Sequence, residues 1–92
     1  MKTFLISYDL IGLETRDDYV RLINYIKAFT YWAKPLKSVW LIKTDKGVAE
    51  VRNELKQYAD SDDKILVIDV TNANWGSFNI STQVTEWMKN NL

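Results

Sequence analysis

Phe4-Leu5-Ile6-Ser7-Tyr8-Asp9-Leu10 is the stretch that decides the fold. It is a largely apolar run closed by one carboxylate, and it reads as a buried strand with Asp9 where the chain leaves the sheet. The end of a strand is a rigid place to hold a reactive or metal-binding group. Asp9 is therefore the candidate catalytic and metal-ligating residue. The plainer alternative is that Asp9 accepts hydrogen bonds from the loop after it, as Asp does at turns.

Further along the chain, the pattern alternates between strand and helix. A loop containing Gly12 follows the first strand, and Thr15 with Asp18 resembles a capping box. Tyr19, Leu22, Ile23, Ile26 and Phe29 recur at helical spacing and give one buried stripe. Pro35 ends that region, because proline enters a sheet only at an edge or a strand start. Ser38-Val39-Trp40-Leu41-Ile42-Lys43 reads as a strand, paired in a hairpin with a short strand from Trp32 to Leu36. Thr44 or Asp45 is placed to cap a second helix, whose stripe is Val48, Val51, Leu55 and Tyr58. Asp60-Ser61-Asp62-Asp63 reads as a solvated loop. Lys64-Ile65-Leu66-Val67-Ile68-Asp69-Val70 reads as the last core strand, with a structural role for Asp69 near an edge or on an open face. Asn72, Asn74 and Gly76 mark another loop. Ser81 then opens a terminal helix with Val84, Trp87 and Met88 on one side.

This order predicts an α+β domain, a ferredoxin-like βαββαβ sandwich over residues 1–70, with residues 71–92 as a C-terminal helical extension. A flavodoxin-like fold would need more parallel strands than 92 residues comfortably supply. The strands are continuously apolar, which suggests cover on both faces. Two helices cover one face of a four-stranded sheet. The other falls to the tail or to a second subunit, and a homodimer is the expectation, since two-fold dimers are the commonest assembly.

Composition narrows the chemistry. The chain has no Cys and no His, which excludes disulfides, thiolate sites, His-based triads and ordinary zinc centres. Twelve Lys and Arg balance twelve Asp and Glu, against the basic excess of a strong non-specific DNA binder. Met1-Lys2-Thr3-Phe4 opens no signal-peptide pattern and no apolar run approaches a membrane span, so a soluble cytoplasmic protein is expected. No Walker loop, dinucleotide fingerprint, nucleophile elbow or EF-hand is present. Magnesium commonly takes only one or two protein carboxylates, with water and phosphate completing the shell. One Asp9 from each subunit of a dimer meets that need. Lys34 and Lys37, beside Trp32 and Trp40, are candidate phosphate contacts. Aromatics beside strands more often belong to the core.

Ser7-Tyr8-Asp9-Leu10 closing the first strand resembles the Tyr-Asp signature of CRISPR-associated protein two, the small spacer-acquisition subunit. Ser38-Val39-Trp40 resembles that family's Ser-Val-Phe strand, and the helix between the two motifs also fits. The wider group includes VapD-like ribonucleases and a SinR-like branch, which this chain resembles most. The resemblance covers residues 1–70 and implies a ferredoxin-like homodimer whose sheets pack together. It also implies that Asp9 holds Mg2+ for hydrolysis of phosphodiesters in RNA or DNA. The family places several Arg after the Asp. Here Ile11 to Asp18 is net acidic, and only Arg16 and the later Arg21 remain. Arg16 thus joins Lys34 and Lys37 as a candidate nucleic-acid contact. The competing function is a non-catalytic homodimeric module that binds protein or nucleic acid.

Overall fold

A computed structural model describes residues 1–11 and 16–92, without the Arg16 side chain. The Gly12 loop, the Thr15 end of the expected capping box and the Arg16 contact lie outside the described residues. The elements are β1 (Lys2–Asp9), α1 (Arg16–Lys27), β2 (Tyr31–Leu36), β3 (Val39–Thr44), α2 (Val48–Lys56), β4 (Lys64–Asp69) and α3 (Thr82–Asn91). The four strands form one sheet in the order β2-β3-β1-β4, and every neighbouring pair is antiparallel. The protein is thus an α+β domain with three described helices.

The register sorts the side chains. Ile6 lies opposite Trp40 and Val67, and Phe4 lies opposite Ile42. Directly opposed residues project to the same face. These residues belong to the face covered by α1 and α2. There Phe4, Ile6, Trp40 and Ile42 pack with Leu22 and Ile26 of α1 and Val51 and Leu55 of α2. The helical stripes read from the sequence supply this core through Leu22, Ile26, Val51 and Leu55, whereas Val48, read as part of the second stripe, is exposed.

The alternate residues form the second face, and its two halves differ. Thr3, Ala33 and Leu41 are buried on it. The tail accounts for this half: α3 lies against β2, the Thr3 hydroxyl donates to the Asn91 carbonyl, and the Thr71 hydroxyl accepts from the Thr3 N–H at 2.9 Å. The half toward β4 is open, with Leu66 55% and Ile68 43% exposed. The sequence marks β4 as a core strand, but β4 is an edge strand. An apolar run cannot tell an interior strand from an edge strand whose outer face lacks cover.

Three local details also differ from expectation. Gly47, rather than Thr44 or Asp45, caps α2, with no side-chain hydrogen bond. The Thr44 hydroxyl accepts instead from the Lys46 N–H at 3.2 Å, which holds the turn before the helix. Tyr58 lies beyond the end of α2. Pro35 sits inside β2, where the pairing with β3 is irregular between Ala33 and Leu36. The strand tolerates it because β2 is an edge. Ser81 caps α3 as read, its hydroxyl accepting from the Val84 N–H at 3.3 Å.

Candidate functional site at the end of the first strand

Asp9 is the last residue of β1 and is exposed. Its register partner on β4 is Lys64. The alternation of β1 sends Asp9 toward the second face, in line with Ser7 and Leu5, at the rim of the open half. Ser7, Tyr8, Asp9, Lys64, Ile65 and Leu66 line a shallow depression of about 200 Å³ at this corner. Among the described residues, no group of three or more acidic side chains gathers to hold a metal ion. Among the described residues lining the depression, Asp9 supplies the one carboxylate. That suits a cation such as magnesium only if water, phosphate or a second carboxylate completes its shell.

Tyr8, beside Asp9, points to the other face. Its hydroxyl accepts from the Trp40 indole N–H at 3.1 Å, and its ring meets Tyr19 edge-on at 6.4 Å. Burial pushes the phenol up to about 12, against a smaller opposing effect of the Trp40 hydrogen bond. Tyr8 thus anchors the end of β1 to the core, and Asp9 projects from that anchored end.

Asp63 shapes the same corner from the α2–β4 loop. Its carboxylate accepts from the Ile11 N–H and the Asp60 N–H, each at 2.8 Å. The acidic run read as merely solvated therefore contains one residue that ties the exit of β1 to the entrance of β4. A link across 52 residues leaves no local signature in the sequence.

Because Val39 pairs with Ser7, the Lys37-Ser38 turn of the hairpin lies at the same end of the sheet as Asp9. Lys34 is elsewhere. Its ammonium sits 4.8 Å from the Trp40 ring centre, on the helix-covered side. Trp32 packs 5.5 Å from Trp40, with the Lys27 ammonium 5.8 Å from its ring. The structure thus brings Lys37 to the Asp9 end and groups Lys34 with Lys27 and the two tryptophans. Lys27 carried no signal in the sequence beyond its place at a helix end.

A second polar cluster joins the two helices. Lys46 meets both Glu54 carboxylate oxygens, at 2.7 and 3.0 Å, and the Tyr25 hydroxyl donates to the same carboxylate at 2.5 Å. The Lys46 hydrogen bond, with that of Tyr25, holds the Glu54 carboxyl below its ordinary range. Burial, with Glu54 next to it, pushes the Tyr25 phenol up. This cluster links α1, α2 and the turn between β3 and α2.

Asp69 behaves as its sequence position suggests. It accepts from the Thr71 hydroxyl and N–H at 2.6 and 3.0 Å, with Lys2 3.7 Å away, and the Thr71 hydroxyl foremost holds its carboxyl below the ordinary value. No described helix is long and apolar enough to cross a membrane. Compared with models of known protein families, the chain matches none.

Proposed function

We propose that this chain is a homodimeric module that acts on nucleic acid, with two copies meeting through the open half of the sheet and Asp9 at the seam. The observation that carries this reading is an apolar half-face, centred on Leu66 and Ile68, with a strand-end carboxylate at its rim. The order β2-β3-β1-β4, with α1 and α2 on one face, supports the ferredoxin-like topology of the CRISPR-associated protein two group.

The chemistry proposed is phosphodiester hydrolysis. A two-fold axis through the open half-face draws the two Asp9 residues together and supplies the second carboxylate that one protomer lacks. Magnesium bound there would activate water and stabilise charge on the leaving oxygen. Asp9 would hold the ion, and Lys37, at the same end of the sheet, would orient a phosphate. The Trp40 hydrogen bond to Tyr8 anchors the end of β1 from which Asp9 projects.

A non-catalytic dimeric binding module is the second reading. It is favoured by the lining of the depression, where Asp9 is the one carboxylate among the described residues and lies directly across the ladder from Lys64. One experiment separates the two. Labelled RNA, single-stranded DNA and duplex DNA are incubated with the protein in magnesium, in EDTA and with Asp9→Ala. Hydrolysis requires magnesium-dependent cleavage that the variant loses. Equal cleavage by the variant removes Asp9 from the chemistry, and binding without cleavage selects the second reading.

A further inference from the structure

We propose that the β2 edge is a stacking platform for single-stranded nucleic acid, with Trp32 as the base-stacking surface and Lys27 and Lys34 as phosphate contacts. This names the polymer that the proposed function leaves open. It rests on the nucleic-acid reading, but on neither Asp9 nor the dimer.

The charge distribution gives the first argument. The chain as a whole is neutral, yet residues 19–44 contain five cations and no acid. Those residues run through α1, β2 and β3, and of the five only Arg21 meets an acid, Asp18, among the described residues. Among the described residues, Lys27 and Lys34, which meet at the Trp32–Trp40 pair, form no ion pair with a carboxylate. Unpaired cations clustered on one side of a neutral protein favour a polyanion there, through release of its counterions.

The aromatic geometry gives the second. Trp40 is 1% exposed and belongs to the core, whereas Trp32 is 36% exposed on the edge strand. Trp32 rests against Trp40, which the Tyr8 hydroxyl holds in turn, so the exposed indole has a rigid support. Lys27 stands 5.8 Å from the Trp32 ring and Lys34 stands 4.8 Å from the Trp40 ring. An exposed indole with one ammonium group on its own ring and a second on the neighbouring Trp40 ring suits a strand in which bases and phosphates alternate. In a duplex the bases already stack on one another and offer no face to Trp32. An added peptide strand suits this edge poorly, because Pro35 removes a backbone donor and the ladder is irregular beside it.

The test is fluorescence anisotropy with a labelled twelve-nucleotide oligothymidylate at low salt, with a duplex of the same length and polyglutamate as competitors. The expected result is saturable binding that also quenches tryptophan emission. Trp32→Ala is expected to weaken it about tenfold or more, and Trp32→Phe to keep most of it. Lys27→Ala and Lys34→Ala are each expected to weaken binding and to lower the salt slope by about 0.7. Lys89→Ala, which removes a cation from α3, is expected to change nothing. Binding of the oligonucleotide with no loss in the Trp32 and lysine variants overturns the platform and leaves the nucleic-acid reading standing. Equal competition by duplex or by polyglutamate also overturns it. No binding of any nucleic acid overturns both. Circular dichroism of Trp32→Phe and the lysine variants keeps the result decisive if Trp32→Ala fails to fold.

Discussion

Tyr8→Phe separates the two residues of the Tyr8-Asp9 pair. Trp40 is 1% exposed, and its indole N–H donates to the Tyr8 hydroxyl at 3.1 Å. Removing the hydroxyl leaves a buried donor without its partner, which costs about 1–3 kcal/mol. Two facts place the loss in the lower part of that range. The bond is at the long end for N–H donors, and Tyr8 is only partly buried. The ring stays against Tyr19, so no cavity is added. A loss of about 1–2 kcal/mol lowers Tm by roughly 4–16 °C in a domain of this size. The pH dependence gives an independent check. The folded phenol holds its proton up to about 12, above its ordinary value of 10.0. Its contribution is therefore complete below pH 10 and declines as pH rises toward 12. Tyr8→Phe should flatten stability across that window without abolishing the slope, because Tyr25 is also shifted upward. Thermal and urea unfolding at pH 7, 10 and 11.5 measure both effects. A variant within 0.5 kcal/mol of the parent at pH 7, with an unchanged alkaline slope, refutes the structural role of Tyr8. In the cleavage assay, Tyr8→Phe should lower any activity less than Asp9→Ala does.

Replacing both Leu66 and Ile68 with Thr should weaken self-association at least 100-fold. About half of each side chain awaits cover, and fully burying one is worth about 1.5–3 kcal/mol, counted in both protomers; an unchanged sedimentation profile rejects this face as the seam. Asp63→Ala removes the acceptor of two backbone N–H groups, so the Ile11 and Asp60 amides should exchange with solvent faster, at a cost of about 1 kcal/mol. Unaltered exchange at both sites argues against the loop tie. Glu54→Gln should make stability less sensitive to acid. The lowered carboxyl stabilises the fold above the usual carboxylate range, and that contribution is lost as pH falls through its depressed value; identical acid limbs for variant and parent count against the Lys46–Glu54–Tyr25 cluster.

Much of the fold is legible in the sequence because its signals are local. The stripe of Leu22 and Ile26, the stripe of Val51 and Leu55, and the hairpin around Lys37-Ser38 depend on spacing and turn chemistry, and the core uses them as read. The cap at Ser81 is equally local. Non-local features are not legible. Leu66 and Ile68 look like core until the strand order puts β4 at an edge. Asp63 looks like one acid among several until Ile11 folds back onto it. Thr44 looks like a helix cap until its hydroxyl is taken by the Lys46 N–H. At the candidate site, the placement of Asp9 at a strand end follows from β1 alone, while Lys64 opposite it and Lys27 beside Trp32 emerge only from register and packing.

Sedimentation equilibrium of the unmodified protein at micromolar concentration decides whether two copies meet through the open half of the sheet. Closure of the open half-sheet by a second copy requires a mass near twice 10.8 kDa, with dissociation on dilution. A single species at 10.8 kDa across the whole concentration range contradicts it, and with it the pairing of two Asp9 carboxylates at a shared seam.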